Sequence, residues 1–334
     1  NDALARLSSD IFAVLLQNLS NDETIDKVVA RIMQVLRQPY LIDGSAINMT
    51  ASIGITLFPN DGSDAPSLLR HAELAVDKTK AAGGNQATFF DPTLAEAAEQ
   101  RRHLENDLRQ AVREHQFVLY YQPIVDLQRN QLAGAEALIR WRHPERGLVP
   151  PDSFIPIVEQ SKLINEIGLW VMESACQTLG EWQAAGLDYH LSINVSGRQI
   201  PDGLPPSSIA EAIEHHGFRP ERLALEITEG ILLSNIGEAL AWLRAVKELG
   251  VRTYLDDFGT GYSSLSYLKR FPLDTLKVDR SFVQDMEPGN SESLLVEAII
   301  AMARSLRLSV VAEGVETAQH LQMLRGVAQG GARA

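Results

Sequence analysis

Six apolar segments of this chain carry charged or amide side chains at or near their ends. Glu136 lies in Gly134-Ala135-Glu136-Ala137-Leu138, Asn194 in Leu191-Ser192-Ile193-Asn194-Val195, and Glu226 in Leu223-Ala224-Leu225-Glu226-Ile227. Asp256 and Asp257 close Tyr254-Leu255-Asp256-Asp257-Phe258, Lys277 lies in Leu276-Lys277-Val278-Asp279, and Glu313 follows Val310-Val311-Ala312. A charge inside an apolar strand is costly unless it is paired or bound to a metal. One such carboxylate reads as a structural salt bridge; a series at matching positions reads as a site. Five carboxylates, one amide and one ammonium make an oxygen-rich set suited to hard divalent cations. The adjacent Asp256 and Asp257 can serve two cations, with Asp256 bridging. Such a pair, about 3.5–4 Å apart, would clamp a phosphodiester and activate water for in-line attack. Lys277 would orient that water or stabilise developing charge.

These residues need a scaffold that gathers them. Strand patterns are expected over 118–125, 133–141, 190–195, 223–227, 252–256, 275–278 and 309–312, separated by helices such as 164–184, 236–249 and 291–306. Seven strands with intervening helices predict a parallel sheet, and a TIM-like (β/α)8 barrel is the closed form that fits this length. An eighth strand is not evident. In a barrel the strand ends converge on one mouth, where barrel enzymes do chemistry. Upstream, residues 1–92 read as a separate α/β segment. It has a strand at 11–16, helices over 22–36 and 65–81, and a hairpin pairing 40–42 with 47–57 through Asp43-Gly44. Residues 93–115 read as a connecting helix, with Leu94, Ala97, Arg101, Leu104, Leu108 and Ala111 three or four apart.

At 334 residues two cores are expected, and 45% hydrophobic with 22% charged residues is ordinary for a globular chain. The net charge of −13 offers no basic face for long nucleic acid. No segment approaches the roughly 20 apolar residues of a membrane span. The single cysteine, Cys176, excludes an internal disulfide, fits a reducing compartment and reads as buried packing. A cytoplasmic location is expected for this segment, with any membrane anchor upstream of it.

The same residues resemble a known family. Glu136-Ala137-Leu138 is similar to the motif that names the EAL domains, and further motifs recur in order across residues 100 to 325. They are Tyr121-Gln122-Pro123-Ile124, Phe154-Ile155-Pro156, Asn194-Val195-Ser196, Glu226-Ile227-Thr228-Glu229, Asp256 through Ser263, Lys277-Val278-Asp279 and Glu313-Gly314-Val315-Glu316-Thr317. The resemblance implies a metal-dependent hydrolase that opens bis-(3′-5′)-cyclic di-GMP to linear pGpG. It implies two magnesium or manganese ions per active site. Glu136, Asn194, Glu226 and Asp256 would hold one, and Asp256, Asp257 and Glu313 the other. Lys277 would contact the attacking water, and Glu229 would shape the Asp256–Ser263 loop. Gln122, Arg140, Asp279 and Glu316 would contact substrate. A homodimer through this domain, from about residue 116 to 334, is also implied.

Two departures qualify the resemblance. The family's closing Gln-Gly-Tyr-x-Phe segment has no counterpart in Gly326 to Ala334, where Gln329 comes early and no aromatic follows Gly330. This reads as a truncated or altered end lacking the last strand. Upstream, Arg6 to Leu16, Ala51-Ser52-Ile53-Gly54-Ile55 and Lys80 to Asn85 resemble the C-terminal part of a GGDEF diguanylate cyclase domain. Its naming motif reads Ser8-Ser9-Asp10-Ile11-Phe12, so cyclase chemistry is not expected and a regulatory, dimer-contact or scaffold role is. The alternative to hydrolysis is a catalytically silent cyclic di-GMP receptor. A different metal-barrel enzyme is a distant third reading.

Overall fold

The computed structural model describes residues 2–17, 22–42, 44–259 and 268–330, with backbone alone at 22–24, 234 and 328–330. Two compact units form, residues 1–103 and 104–334.

In the first unit, β1 (Ala3–Arg6) and β2 (Phe12–Leu15) make an antiparallel hairpin, and α1 (Asp22–Leu36) follows. A second hairpin joins β3 (Tyr40–Ile42) to β4 (Ser45–Ile47). The expected hairpin partner over 47–57 therefore divides. Its later part, β5 (Ile53–Ile55), pairs in parallel with β6 (Ala87–Phe89). Helix α2 (Ala65–Ala81) links those two strands and explains the division, because β5 lies against α2. A Cβ on Gly54 would come 2.0 Å from the Ala72 carbonyl oxygen, so only glycine permits that approach. Asp64 opens α2 with a reciprocal capping box to Ser67. Arg37, just past α1, holds the turn after α2 by donating to the Asn85 side chain at 3.0 Å and its carbonyl at 2.9 Å. Asp43 lies outside the described residues.

Helix α3 (Pro92–Arg113) leads into the second unit, where Leu104, Leu108 and Ala111 join its core. That unit alternates β7 (Phe117–Asp126), β8 (Gln131–His143), β9 (Gly147–Val149), α4 (Ile155–Val158), α5 (Leu163–Ala184), β10 (His190–Asn194), α6 (Pro206–His216) and β11 (Leu223–Thr228). It continues through α7 (Glu229–Ser234), α8 (Ile236–Glu248), β12 (Arg252–Phe258), β13 (Thr275–Val278), α9 (Arg280–Gln284), α10 (Ser291–Ser305), β14 (Ser309–Ala312) and α11 (Ala318–Gly330). The sheet order is β14-β13-β12-β11-β10-β8-β7, with β9 beside β8. From β8 to β14 the path is parallel. The expectation of a wholly parallel sheet fails at β7, which runs antiparallel to β8. The physical reason is the short link Leu127–Asn130, which can close a hairpin but cannot carry a crossover.

Strand alternation divides this sheet into two faces. Leu191, Ile193, Leu223, Leu225, Ile227, Leu255, Leu276 and Val278 are buried outward against the helices. The helices supply matching apolar stripes. On α5 the stripe is Leu163, Ile164, Ile167, Val171, Met172, Ala175, Cys176 and Leu179, each Leu or Ile contributing about 1.5–3 kcal/mol on burial. The inner face carries the polar residues. Among the described residues no strand joins β14 to β7, and α11 instead packs Leu324 into the core.

Candidate active site

Strand register places the polar residues on one face. Gln122 pairs with Glu136 across β7 and β8. Glu136 aligns with Ser192, two residues before Asn194 on the same face of β10, and Asn194 aligns with Glu226. Glu226 aligns with Tyr254, which shares its face with Asp256. Tyr254 aligns with Thr275, two residues before Lys277, and Lys277 aligns with Val311, two before Glu313. Every one of these side chains therefore points to the inner side, toward the carboxyl ends of the strands.

The contacts show how far the sheet curls. Lys277 Nζ on β13 reaches Glu136 Oε2 on β8 at 3.1 Å. Four strand-to-strand steps of about 4.8 Å would separate them by roughly 19 Å in a flat sheet. Lys277 also pairs with Asp256 Oδ2 at 3.2 Å, with Glu313 Oε1 at 2.6 Å and with the Glu226 carboxylate. It is 1% exposed, as is Glu226. A buried ammonium is tolerable only with such partners, and burial working against its charge is overcome by Glu226, Glu136, Asp256 and Glu313, which hold it protonated. Asn194 Nδ2 donates to Glu136 Oε1 at 2.7 Å and completes the ring.

Asp257 enters by a different device. Consecutive strand residues point to opposite faces, so Asp257 should face away from Asp256. The β12–β13 register shifts between Leu255 and Phe258, and Asp257 takes the left-handed conformation at φ 53°. This bulge turns two neighbouring acids toward one rim. Partial burial, then Asp256 and Asp279, push the Asp257 carboxyl above its ordinary range, while Lys277 opposes them. Gly259 follows at φ 100°, where a Cβ would lie 2.9 Å from the Phe282 ring. Thr260 to Ser263, the rest of that motif, lie outside the described residues. Glu229, assigned to that loop, is the buried first residue of α7.

The substrate-contact candidates are placed less uniformly. Gln122 stands beside Glu136 in register. Arg140 lies on the Glu136 face of β8, its guanidinium 5.8 Å from the Tyr120 ring centroid. Asp279 caps α9 by accepting from Ser281 N at 2.9 Å. Partial burial raises its carboxyl, but the Ser281 bonds hold it below the usual range. Glu316 accepts from Gln284 Nε2 at 3.1 Å and, among the described residues, makes no contact with the ring of acids. A support absent from the sequence-derived set is Glu159, whose Oε1 accepts from Ser196 Oγ at 2.6 Å and so anchors the turn after Asn194. Its position after Phe154-Ile155-Pro156 was the only available signal.

Electrostatically the rim is unbalanced: Glu136, Glu226, Asp256, Asp257 and Glu313 surround one ammonium. Burial, joined by Glu136 and Asp256, pushes the Glu226 carboxyl up despite Lys277. Glu226 Oε1 is buried with no hydrogen-bond partner among the described residues. An orphaned carboxylate oxygen within an excess of negative charge is what a divalent cation would satisfy.

The EAL domain family matches residues 105–328. The chain belongs to the EAL domain family. The Diguanylate cyclase, GGDEF domain family matches residues 1–86 of the same chain. Among curated proteins, "Cyclic di-GMP phosphodiesterase NbdA" of Pseudomonas aeruginosa is 42% identical over 97% of this chain and 42% of its own length. "Cyclic di-GMP phosphodiesterase PdeR" of Escherichia coli K12 is 37% identical over 96% of this chain and 48% of its own. The chain thus spans less than half of each of these two relatives. Among solved structures, the PaMucR phosphodiesterase in complex with c-di-GMP matches with TM-score 0.64 and 40% identity, over 67% of this chain and 92% of that one. The FimX EAL domain of Xanthomonas citri in complex with c-di-GMP matches with TM-score 0.64 and 27% identity, over 70% of this chain and 91% of that one. EAL phosphodiesterases are in general divalent-metal dependent. No helix among the described residues is long and apolar enough to cross a membrane.

Proposed function

We propose that this EAL domain hydrolyses bis-(3′-5′)-cyclic di-GMP to linear pGpG. The observation that carries the reading is the convergence of acids from β8, β11, β12 and the end of β14 on Lys277, with one Glu226 oxygen left unsatisfied. Glu136, Asn194, Glu226 and Asp256 would hold one cation, and Asp256, Asp257 and Glu313 a second. Two magnesium or manganese ions there would supply the Lewis acidity that polarises a phosphodiester and acidifies the attacking water.

The chain's own groups do the rest. Lys277 keeps a positive charge within the ring and donates to the attacking water or to the oxygen where charge develops. Arg140 would offer directed donors to a substrate phosphate and Gln122 a side-chain amide beside Glu136, with Asp279 and Glu316 as further substrate contacts. Glu229 steadies the Asp256–Ser263 loop. Residues 1–92 are proposed as the C-terminal part of a degenerate GGDEF-like domain, 93–115 as a connecting helix and 116–334 as the hydrolase. The reading includes a homodimer through the EAL domain and a cytoplasmic location.

The test is direct. Purified protein with cyclic di-GMP and magnesium or manganese should yield pGpG. Glu136→Ala should bring turnover down by roughly 10²–10³-fold or more, as loss of transition-state charge stabilisation does. Undiminished turnover in that variant would overturn the site assignment, and tight binding with no pGpG would establish the silent-receptor reading. Calcium should inhibit, because its larger, looser shell suits a two-cation site poorly.

A further inference from the structure

Away from the rim, a second set of ligating side chains meets on the helical layer. Glu173 of α5 and His215 and His216 at the end of α6 each offer one ligand atom, all within 4.8 Å of one another. His216 Nε2 lies 2.7 Å from Glu173 Oε1. The two imidazoles stand edge to face with centroids 4.7 Å apart.

The backbone beneath them is held from both helices. Gly217 stops α6 in the left-handed conformation at φ 65°. Gly180 of α5 lets the His216 carbonyl come so near that a Cβ there would lie 2.7 Å from its oxygen. Gln183 clamps the following turn, donating to the Gly217 carbonyl at 2.8 Å and accepting from Arg219 N at 3.0 Å. The ligand-bearing segments are therefore fixed relative to each other before any ion arrives.

Two imidazoles and a carboxylate suit zinc and the neighbouring cobalt, nickel and copper ions, whereas magnesium and calcium take oxygen shells. A tetrahedral zinc with bonds of about 2.0–2.2 Å sets its ligand atoms roughly 3.3–3.6 Å apart. The Glu173–His216 pair would open by less than an ångström and the wider separations would close. Glu173 and His215 are exposed and His216 is half-buried, so an ion reaches the cluster from solution. We propose that Glu173, His215 and His216 form a transition-metal site that pins the end of α6 to α5 and is chemically distinct from the all-oxygen rim.

The probe is zinc alone, added to the whole chain in excess magnesium so that the rim is occupied by the hard cation. Wild-type protein and Glu136→Ala should each retain one zinc per chain after desalting and gain several degrees in melting midpoint, since a ligand that binds only the folded state stabilises it. His215→Ala and Glu173→Gln should lose both effects while keeping pGpG formation. Cobalt(II) gives an independent readout: a visible band of a tetrahedral nitrogen–oxygen site in wild type, absent in His215→Ala. Zinc retention unchanged in His215→Ala, or lost in Glu136→Ala and kept in His215→Ala, would overturn the proposal, the second result placing the ion at the rim.

Discussion

The rim and the β1–β2 hairpin both carry acids within motifs that resemble nucleotide-handling ones, yet only the rim's are drawn together. At the rim, strands far apart in sequence bring Glu136, Glu226, Asp256 and Glu313 onto one buried ammonium. In the hairpin, Asp10 is exposed and, among the described residues, receives a hydrogen bond from its neighbour Ser9 at 3.2 Å, while Arg6 donates to the carbonyls of Ser8 and Ser9. Among the described residues β1 pairs with β2 alone, so no other strand brings a charge to Asp10. The contrast teaches that an acid acquires chemistry from the number of strands that converge on it and the water they exclude.

The sharpest way to break this comparison is Lys277→Met. It leaves the buried Glu226 and Asp256 carboxylates without their shared cation, so stability should fall by about 3–5 kcal/mol in chelator, measured by denaturant titration. Added divalent cation should restore part of that loss, whereas unchanged stability would mean that the ring does not depend on its ammonium. Arg140→Ala tests the outer margin. If its guanidinium grips a phosphate, KM should rise about tenfold to a hundredfold with kcat little changed.

The opposite end of the same inner face offers a third test. Burial, then Arg252, pull the His190 imidazole down to about 4 from an ordinary 6.5. The folded chain therefore keeps His190 neutral while the unfolded chain takes up a proton below pH 6.5. Stability is full above that pH and should decline as pH falls toward 4, by at most about 3 kcal/mol. His190→Gln should remove that part of the slope without altering hydrolysis at neutral pH. The smallest effect is expected from Asp10→Ala, which should leave both pGpG formation and melting midpoint unchanged. A measurable loss would show that the hairpin does more than its exposure suggests.

Much of the rim was legible because a charge inside an apolar strand has few explanations. Glu136, Glu226 and Lys277 announced themselves that way, and their matching strand positions pointed to one barrel mouth. The bulge at Asp257 was not legible, since adjacent aspartates look the same whether or not alternation is broken. The antiparallel β7 escaped because a strand pattern carries no direction, although the short Leu127–Asn130 link held the clue. Helix packing hid the most: His215-His216 gives no sign of lying against Glu173 until Gly180 and Gln183 are seen to seat α6 on α5. Cys176 behaved as its helical setting implied, buried on α5 with desolvation pushing its thiol up to about 12.

The most direct measurement is an anomalous difference map from crystals grown with manganese and cyclic di-GMP. It should show manganese peaks ringed by Glu136, Asn194, Glu226, Asp256, Asp257 and Glu313, with a substrate phosphate against them and Lys277 beside it. No manganese among those side chains, or cyclic di-GMP seated away from the rim, would contradict it.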